Sequence, residues 1–146
     1  MNKFSTVIGV DPDTEKHGIA TYTDDKLENL QNLNTIEIVE KFRFLNDAVF
    51  SIENTLANNF IYGRNRTKNN LVNQKIMLNV GRCQQSQIEL MRWLDYYGMP
   101  YILNAPTKGN WADNEEQFKR VTGWSKRSNK DTRSAAYFGY LALRQH

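Results

Sequence analysis

The chain opens on a short apolar run, Val7-Ile8-Gly9-Val10, that ends in a carboxylate, Asp11, and is stopped by Pro12. Proline has no N–H to give to a ladder, so the pattern predicts a buried strand over 4–10 that delivers Asp11 to the sheet edge. Gly18-Ile19-Ala20-Thr21-Tyr22-Thr23 alternates and reads as a returning strand, 18–24. Asp24-Asp25 then turns the chain into a third strand over roughly 27–35. Residues 36–45 carry apolar side chains at 36, 38/39, 42 and 45, a helical step. Ala48-Val49-Phe50-Ser51-Ile52 is again a strand, and it too ends in an acid, Glu53.

Beyond Glu53 the pattern loosens. Residues 58–70 are polar and basic with Phe60 and Tyr62 interleaved, and read as a loop. Val72, Ile76, Val80, Cys83, Ile88, Met91 and Leu94 recur at three- to five-residue steps, which predicts a helix over 69–97 closed by Gly98 as its C-cap. A strand at 100–103, a loop at 105–109 and a helix over 113–122 follow, then a basic linker, 123–128. A last helix over 130–144 turns Ala135, Ala136, Phe138, Leu141 and Ala142 inward. The order β-β-β-α-β-α-β-α-α predicts an α/β fold: a mixed central sheet, three antiparallel strands and then parallel ones, flanked by helices. At 146 residues the expectation is one domain, 1–146.

Charge changes the picture more than composition does. The net charge is only +3, yet Thr55–Ile88 contains no acid while holding Arg64, Arg66, Lys68, Lys75 and Arg82. Lys108, Lys119, Arg120, Lys126, Arg127, Lys130 and Arg133 follow, and the acids lie mostly before residue 54. Such segregation suits one face that meets a polyanion, with carboxylates kept for a metal; an ordinary solvated basic surface is the competing account. A single cysteine, Cys83, excludes a disulfide framework and a multi-cysteine zinc site. No apolar run approaches the ~20 residues that span a bilayer. No secretory signal is evident, so the expected location is cytoplasmic, that of the host cell for a viral protein.

The chemistry turns on whether acids distant in sequence meet. Alone, Asp11 is an ordinary strand-end turn residue, Glu53 a surface acid, and Asp131 a favourable charge at a helix N-terminus. If the strands ending in Asp11 and Glu53 are parallel neighbours, both carboxylates emerge at one edge. Asp131 and Ser134, three apart, project from one face of the last helix. A helix start laid across that edge brings a third carboxylate to the first two. Oxygen donors of this kind suit Mg²⁺, which binds through a few carboxylates plus substrate phosphate oxygens. Cys83 reads as a small core residue, His17 and His146 as exposed bystanders, and Trp93, Trp111 and Trp124 as core or interface mass.

Val7-Ile8-Gly9-Val10-Asp11-Pro12, Gly18-Ile19-Ala20, Phe50-Ser51-Ile52-Glu53-Asn54, Asn79-Val80-Gly81-Arg82-Cys83 and Asn129-Lys130-Asp131-Thr132-Arg133-Ser134-Ala135-Ala136 together resemble the RuvC-type Holliday-junction resolvases. The resemblance covers nearly the whole chain in order, and suits a compact phage- or virus-type member. It implies the RNase H-like (retroviral integrase) fold and a structure-selective endonuclease of DNA recombination and repair, resolving Holliday junctions and related branched DNA. It further implies a homodimer and two Mg²⁺ ions, with Mn²⁺ as a substitute. Two such ions about 3.5–4 Å apart activate water and stabilise the leaving oxygen. By resemblance Asp11, Glu53 and Asp131 are metal carboxylates, and Lys108 stands where a basic residue lies near the scissile phosphate.

One departure stands out. Where the family has a further Asp, this chain has Ser134, a weak ligand better suited to packing or a local hydrogen bond. A loosened metal site or a substitute acid such as Asp13 would follow from it. The segment after Glu53 enters the junction crossover in the family. That makes Leu56, Phe60 and Tyr62 candidates for contact with bases, and Arg64, Arg66 and Lys68 candidates for contact with phosphates. The long helix, with Met91 and Trp93 near its end, is the candidate dimer interface. Two alternatives compete: a non-cleaving branched-DNA-binding module on the same scaffold, and a nucleotide-binding loop of the actin and sugar-kinase type. The latter needs about twice the chain length, to close two lobes over ATP.

Overall fold

The structure, a computed structural model, describes residues 4–57 and 70–145, without the side chains of residues 70, 72 and 73. A five-stranded sheet runs in the order β3-β2-β1-β4-β5. The strands are β1 (Thr6–Asp11), β2 (His17–Thr23), β3 (Lys26–Leu33), β4 (Ala48–Glu53) and β5 (Tyr101–Asn104). β1–β2 and β2–β3 pair antiparallel, whereas β1–β4 and β4–β5 pair parallel. The fold is thus the mixed α/β arrangement of the RNase H-like class. Asp24 and Asp25, both at positive φ (48° and 70°), form the two-residue turn between β2 and β3, the backbone that a tight hairpin requires.

The helices are α1 (Thr35–Phe42), α2 (Asn70–Tyr96), α3 (Glu115–Thr122) and α4 (Lys130–Arg144). Asn34 and Glu37 cap α1 reciprocally, which satisfies two orphan donors at its start. The predicted helix 113–122 is present as α3 and starts two residues later, after a 3₁₀ turn at Trp111–Asp113. The break lies at Asn114, whose side chain accepts from the Gln117 N–H at 3.0 Å and starts a new helix there.

Alternation along β1 and β4 sorts side chains onto two faces. Ile8, Val10, Phe50 and Ile52 pack on the side of Ile38, Phe42, Leu90 and Leu94 from α1 and α2. Val7 and Val49 pack opposite, with Ala135, Ala136 and Ala142 of α4 and with Trp111 and Phe118. On that second face α4 comes close. A Cβ added at Gly9 would lie 1.9 Å from the Ala135 carbonyl oxygen, so only glycine fits. The Tyr22 hydroxyl donates to the Ala136 carbonyl at 2.6 Å and the Ser51 hydroxyl to the Phe138 carbonyl at 2.7 Å.

The buried stripe of α2 differs from the predicted one. Leu90, Leu94 and Gln87 are fully buried, whereas Ile76, Val80, Ile88 and Met91 are half-buried. A polar residue, Gln87, takes a core position because it bonds the N–H and hydroxyl of Thr55 and the side chain of Asn54, just beyond β4. That exception defeats a count of apolar residues.

Candidate active site

β1 and β4 run parallel with Val10 opposite Ile52, so Asp11 and Glu53 leave adjacent strands at one edge of the sheet. By alternation each lies on the α4 face, Asp11 with Gly9 and Glu53 with Ser51. The first turn of α4 crosses this edge on Gly18, where an added Cβ would come within 2.3 Å of the Asp131 carbonyl oxygen. Asn129 starts that turn as an N-cap, accepting from the Thr132 N–H. The glycine lets the backbone descend, and Asp131 descends with it.

The electrostatics record the encounter. Asp11 is pushed up to about 8, first by burial, then by the charges of Glu53 and Asp131, against the pull of a hydrogen bond from Ser134. Its carboxyl is hydrogen-bonded to that of Glu53, whose affinity for a proton is likewise raised by burial. Two half-buried like charges beside one another are relieved by holding one proton between them. Asp131 is raised by burial and then by Asp13, to which its side chain is hydrogen-bonded. Four acids therefore meet as two linked pairs, Asp11 with Glu53 and Asp13 with Asp131. Ser134 is buried and its hydroxyl is engaged by Asp11.

Neighbouring side chains hold the rim. Gln87 accepts from both the N–H and the hydroxyl of Thr55 at 2.7 Å and donates to Asn54 at 3.1 Å, tying α2 to the segment that leaves Glu53. Asn104, opposite Glu53 on β5, donates to the Ser51 hydroxyl at 2.8 Å. The Cys83 thiol is half-buried and 3.8 Å from an Asp13 carboxylate oxygen. It is a rim residue of the acid cluster, not the core residue that helical spacing predicts. Burial and then Asp13 push the thiol up to about 11, so it is no thiolate nucleophile near neutrality.

His17 is a second correction. Expected at the surface, it is fully buried, and burial lowers its pKa to about 4 against the opposing pull of Asp13. Neither His17 nor Gln87 carries a periodicity signal, because each is polar at an interior position. For His17 the one available cue was its four-residue distance from Asp13 across a turn.

The remaining candidates are less gathered. Lys108 is exposed in the loop that follows β5, and that loop leaves the sheet at the edge where Asp11 and Glu53 emerge. Leu56 is 39% exposed in a 3₁₀ turn, Thr55–Ala57. Phe60, Tyr62, Arg64, Arg66 and Lys68 lie outside the described residues. Among the described residues no group of three or more His, Cys, Asp and Glu side chains is arranged to hold a metal ion. No helix among them is long and apolar enough to cross a membrane.

No family model matches the sequence, and no curated protein matches it. Solved structures do. A Thermus thermophilus RuvC in complex with Holliday junction substrate is 14% identical with a TM-score of 0.56, covering 96% of this chain and 94% of that one. A second Thermus thermophilus RuvC structure is 13% identical with a TM-score of 0.57, covering 96% and 95%. At such identities the likeness is one of fold, over nearly the full length of both chains.

Proposed function

We propose that this protein is a divalent-metal-dependent endonuclease that cleaves branched DNA, with the four-way Holliday junction as its substrate. The observation that carries the reading is the convergence at one sheet edge of the ends of β1 and β4 and the start of α4, which bear Asp11, Glu53 and Asp131. Support also comes from the fold shared with a RuvC whose structure holds a Holliday junction substrate.

The donor set suits Mg²⁺ or Mn²⁺ chemically, being carboxylate oxygens with a hydroxyl beside them. Among the described residues the side chains are not arranged in metal-holding geometry. Asp11, Glu53 and Asp131 would hold the ions. When bound, they supply Lewis acidity toward the phosphodiester and lower the pKa of a water. Ser134, bonded to Asp11, orients that carboxylate. The exposed ammonium of Lys108 attracts phosphate to the same edge, and the basic residues of 64–68 extend that attraction along the DNA.

A second copy of the chain is the proposed partner, so that two sites face opposed strands of the junction. The end of α2 supports this. Trp93 (39% exposed) and Phe44 (77%) line a groove of about 470 Å³ together with Ile36, Arg43 and Tyr97, and Tyr96 (76%) packs edge-on against Trp93. The half-buried Met91, by contrast, accepts a hydrogen bond from Gln87 and belongs to the inner side of the helix.

The second reading, a binding module that does not cleave, is favoured by Ser134 where a carboxylate would complete the site. Incubation of the protein with a labelled four-way junction in Mg²⁺ or Mn²⁺ separates the two. Paired nicks that Asp11→Asn suppresses by about 10²–10³-fold are expected. Tight junction binding with no nick under either ion would transfer the assignment to the second reading.

A further inference from the structure

The loop that carries Asp13 is anchored from the opposite side of the sheet. The imidazole of His17, wholly buried, faces α1 and α2 and not α4. Its Nδ1 accepts the backbone N–H of Asp13 at 3.2 Å. Its Nε2 lies 3.2 Å from the Thr35 hydroxyl at the start of α1 and 3.4 Å from the Ser86 hydroxyl on α2. Since Nδ1 accepts, the ring hydrogen of the neutral tautomer is on Nε2, which donates to those hydroxyls. One ring thus ties two helices to a single loop amide. Asp13 adds its own constraint, accepting from the Thr14 N–H at 2.7 Å, so amide and carboxylate are both held.

We infer that His17 is a positioning residue: through the Asp13 amide it presents the Asp13 carboxylate to Asp131, making Asp13 the fourth acid of the site in place of residue 134. The inference rests on the metal-dependent reading given above. Ser134 is already engaged by Asp11, and a fourth carboxyl group stands at Asp131 only because the β1–β2 loop brings it there. The loop alone does not secure this. Pro12 is buried at its start, but Thr14, Glu15 and Lys16, which lead from Asp13 to β2, are exposed. Partners behind a ligand set its orientation, and their removal costs about 10–100-fold in metal affinity.

Two isosteric replacements separate the halves of the ring. In His17→Asn the amide oxygen keeps an acceptor where Nδ1 stands, so that variant is expected to retain Mn²⁺ affinity. His17→Gln keeps a polar group near Nε2 but withdraws the acceptor from the Asp13 amide, and is expected to bind Mn²⁺ about tenfold more weakly per folded molecule. Asp13→Asn is expected to match His17→Gln. Mn²⁺ binding is read by calorimetry and by the electron paramagnetic resonance of free Mn²⁺, with the folded fraction taken from thermal melts.

Equal affinities in His17→Asn and His17→Gln, whether both wild-type or both weak, overturn the inference. Wild-type protein that binds no Mn²⁺ dependent on Asp11 overturns the metal reading itself. The positional claim is then decided by hydrogen exchange at the Asp13 amide. Faster exchange in His17→Gln than in His17→Asn upholds the anchor, and equal exchange removes it.

Discussion

On one face of the sheet, Ile8, Val10, Phe50 and Ile52 meet the large side chains of α1 and α2. On the other, Gly9 and Gly18 let the backbone of α4 rest on the strands, and Tyr22 and Ser51 bond its carbonyls. The first face is thick with large apolar side chains. On the second the aromatic side chains of Trp111 and Phe118 flank a close backbone contact, and the carboxyl groups of Asp11, Glu53 and Asp131 collect at its edge. A side chain of two or three carbons can meet its counterparts only where backbones come close. Close approach here is made by glycine, since a Cβ at Gly9 or Gly18 would run into the backbone of α4.

Substitutions that load the two faces differently test that division. Gly9→Ala should have the largest effect, because its Cβ meets a helix carbonyl at 1.9 Å and backbone must yield. A loss above about 4 kcal/mol is expected in urea unfolding, together with weakened Mn²⁺ binding in whatever remains folded, since α4 moves with Asp131. Phe50→Ala, on the thick face, should cost about 3–5 kcal/mol yet leave Mn²⁺ affinity per folded molecule unchanged. If it weakens Mn²⁺ binding as Gly9→Ala does, the faces are not separable.

The pH dependence of the metal-free protein gives a smaller effect with a definite sign. Asp11 holds its proton up to about 8 when folded, against 3.8 as its ordinary value, so the folded state binds more protons between those limits. Stability therefore falls as pH rises through that range. His17, lowered from 6.5 to about 4, acts oppositely: it stabilises above 6.5 and its contribution is lost as pH falls toward 4. From 6.5 to 8 the folded ring is neutral and the unfolded ring loses its remaining protons, so the opposing contribution of His17 fades and the slope passes to the acids. Thermal melts there should lose up to about 1.4 kcal/mol per pH unit, and Asp11→Asn or saturating Mn²⁺ should flatten the slope. A slope that Asp11→Asn leaves unchanged would place the proton elsewhere. Comparable in size, Ser51→Ala should cost about 1–2 kcal/mol by removing the bonds to Phe138 and Asn104, with the secondary-structure content intact by circular dichroism.

Much of this was legible in the residues themselves. The run to Asp11 and the run to Glu53 each end as strands at their acids, and Asp24-Asp25 makes the turn. Asp131 opens a helix, as its place after Asn129 suggests. What failed to show were polar side chains in interior positions. His17 reads as a surface residue and is a buried bridge; Gln87 falls outside the apolar repeat and is wholly enclosed; Cys83 fits the repeat and faces Asp13. Hydrophobic spacing reports transfer from water, and a polar group buried with its partners satisfied leaves no trace in it.

The chain's own pattern determined where strands end, which side chains share a face and which residues can be acids at a sheet edge, because alternation and punctuation are local. Tertiary structure decided which acids meet and in what pairs: Asp11 with Glu53 across parallel strands, Asp13 with Asp131 across a loop and a helix. Those pairings depend on how closely α4 lies on two glycines and on a ring reaching through from the far side. They are distances between segments far apart along the chain, and no periodicity within a segment encodes them.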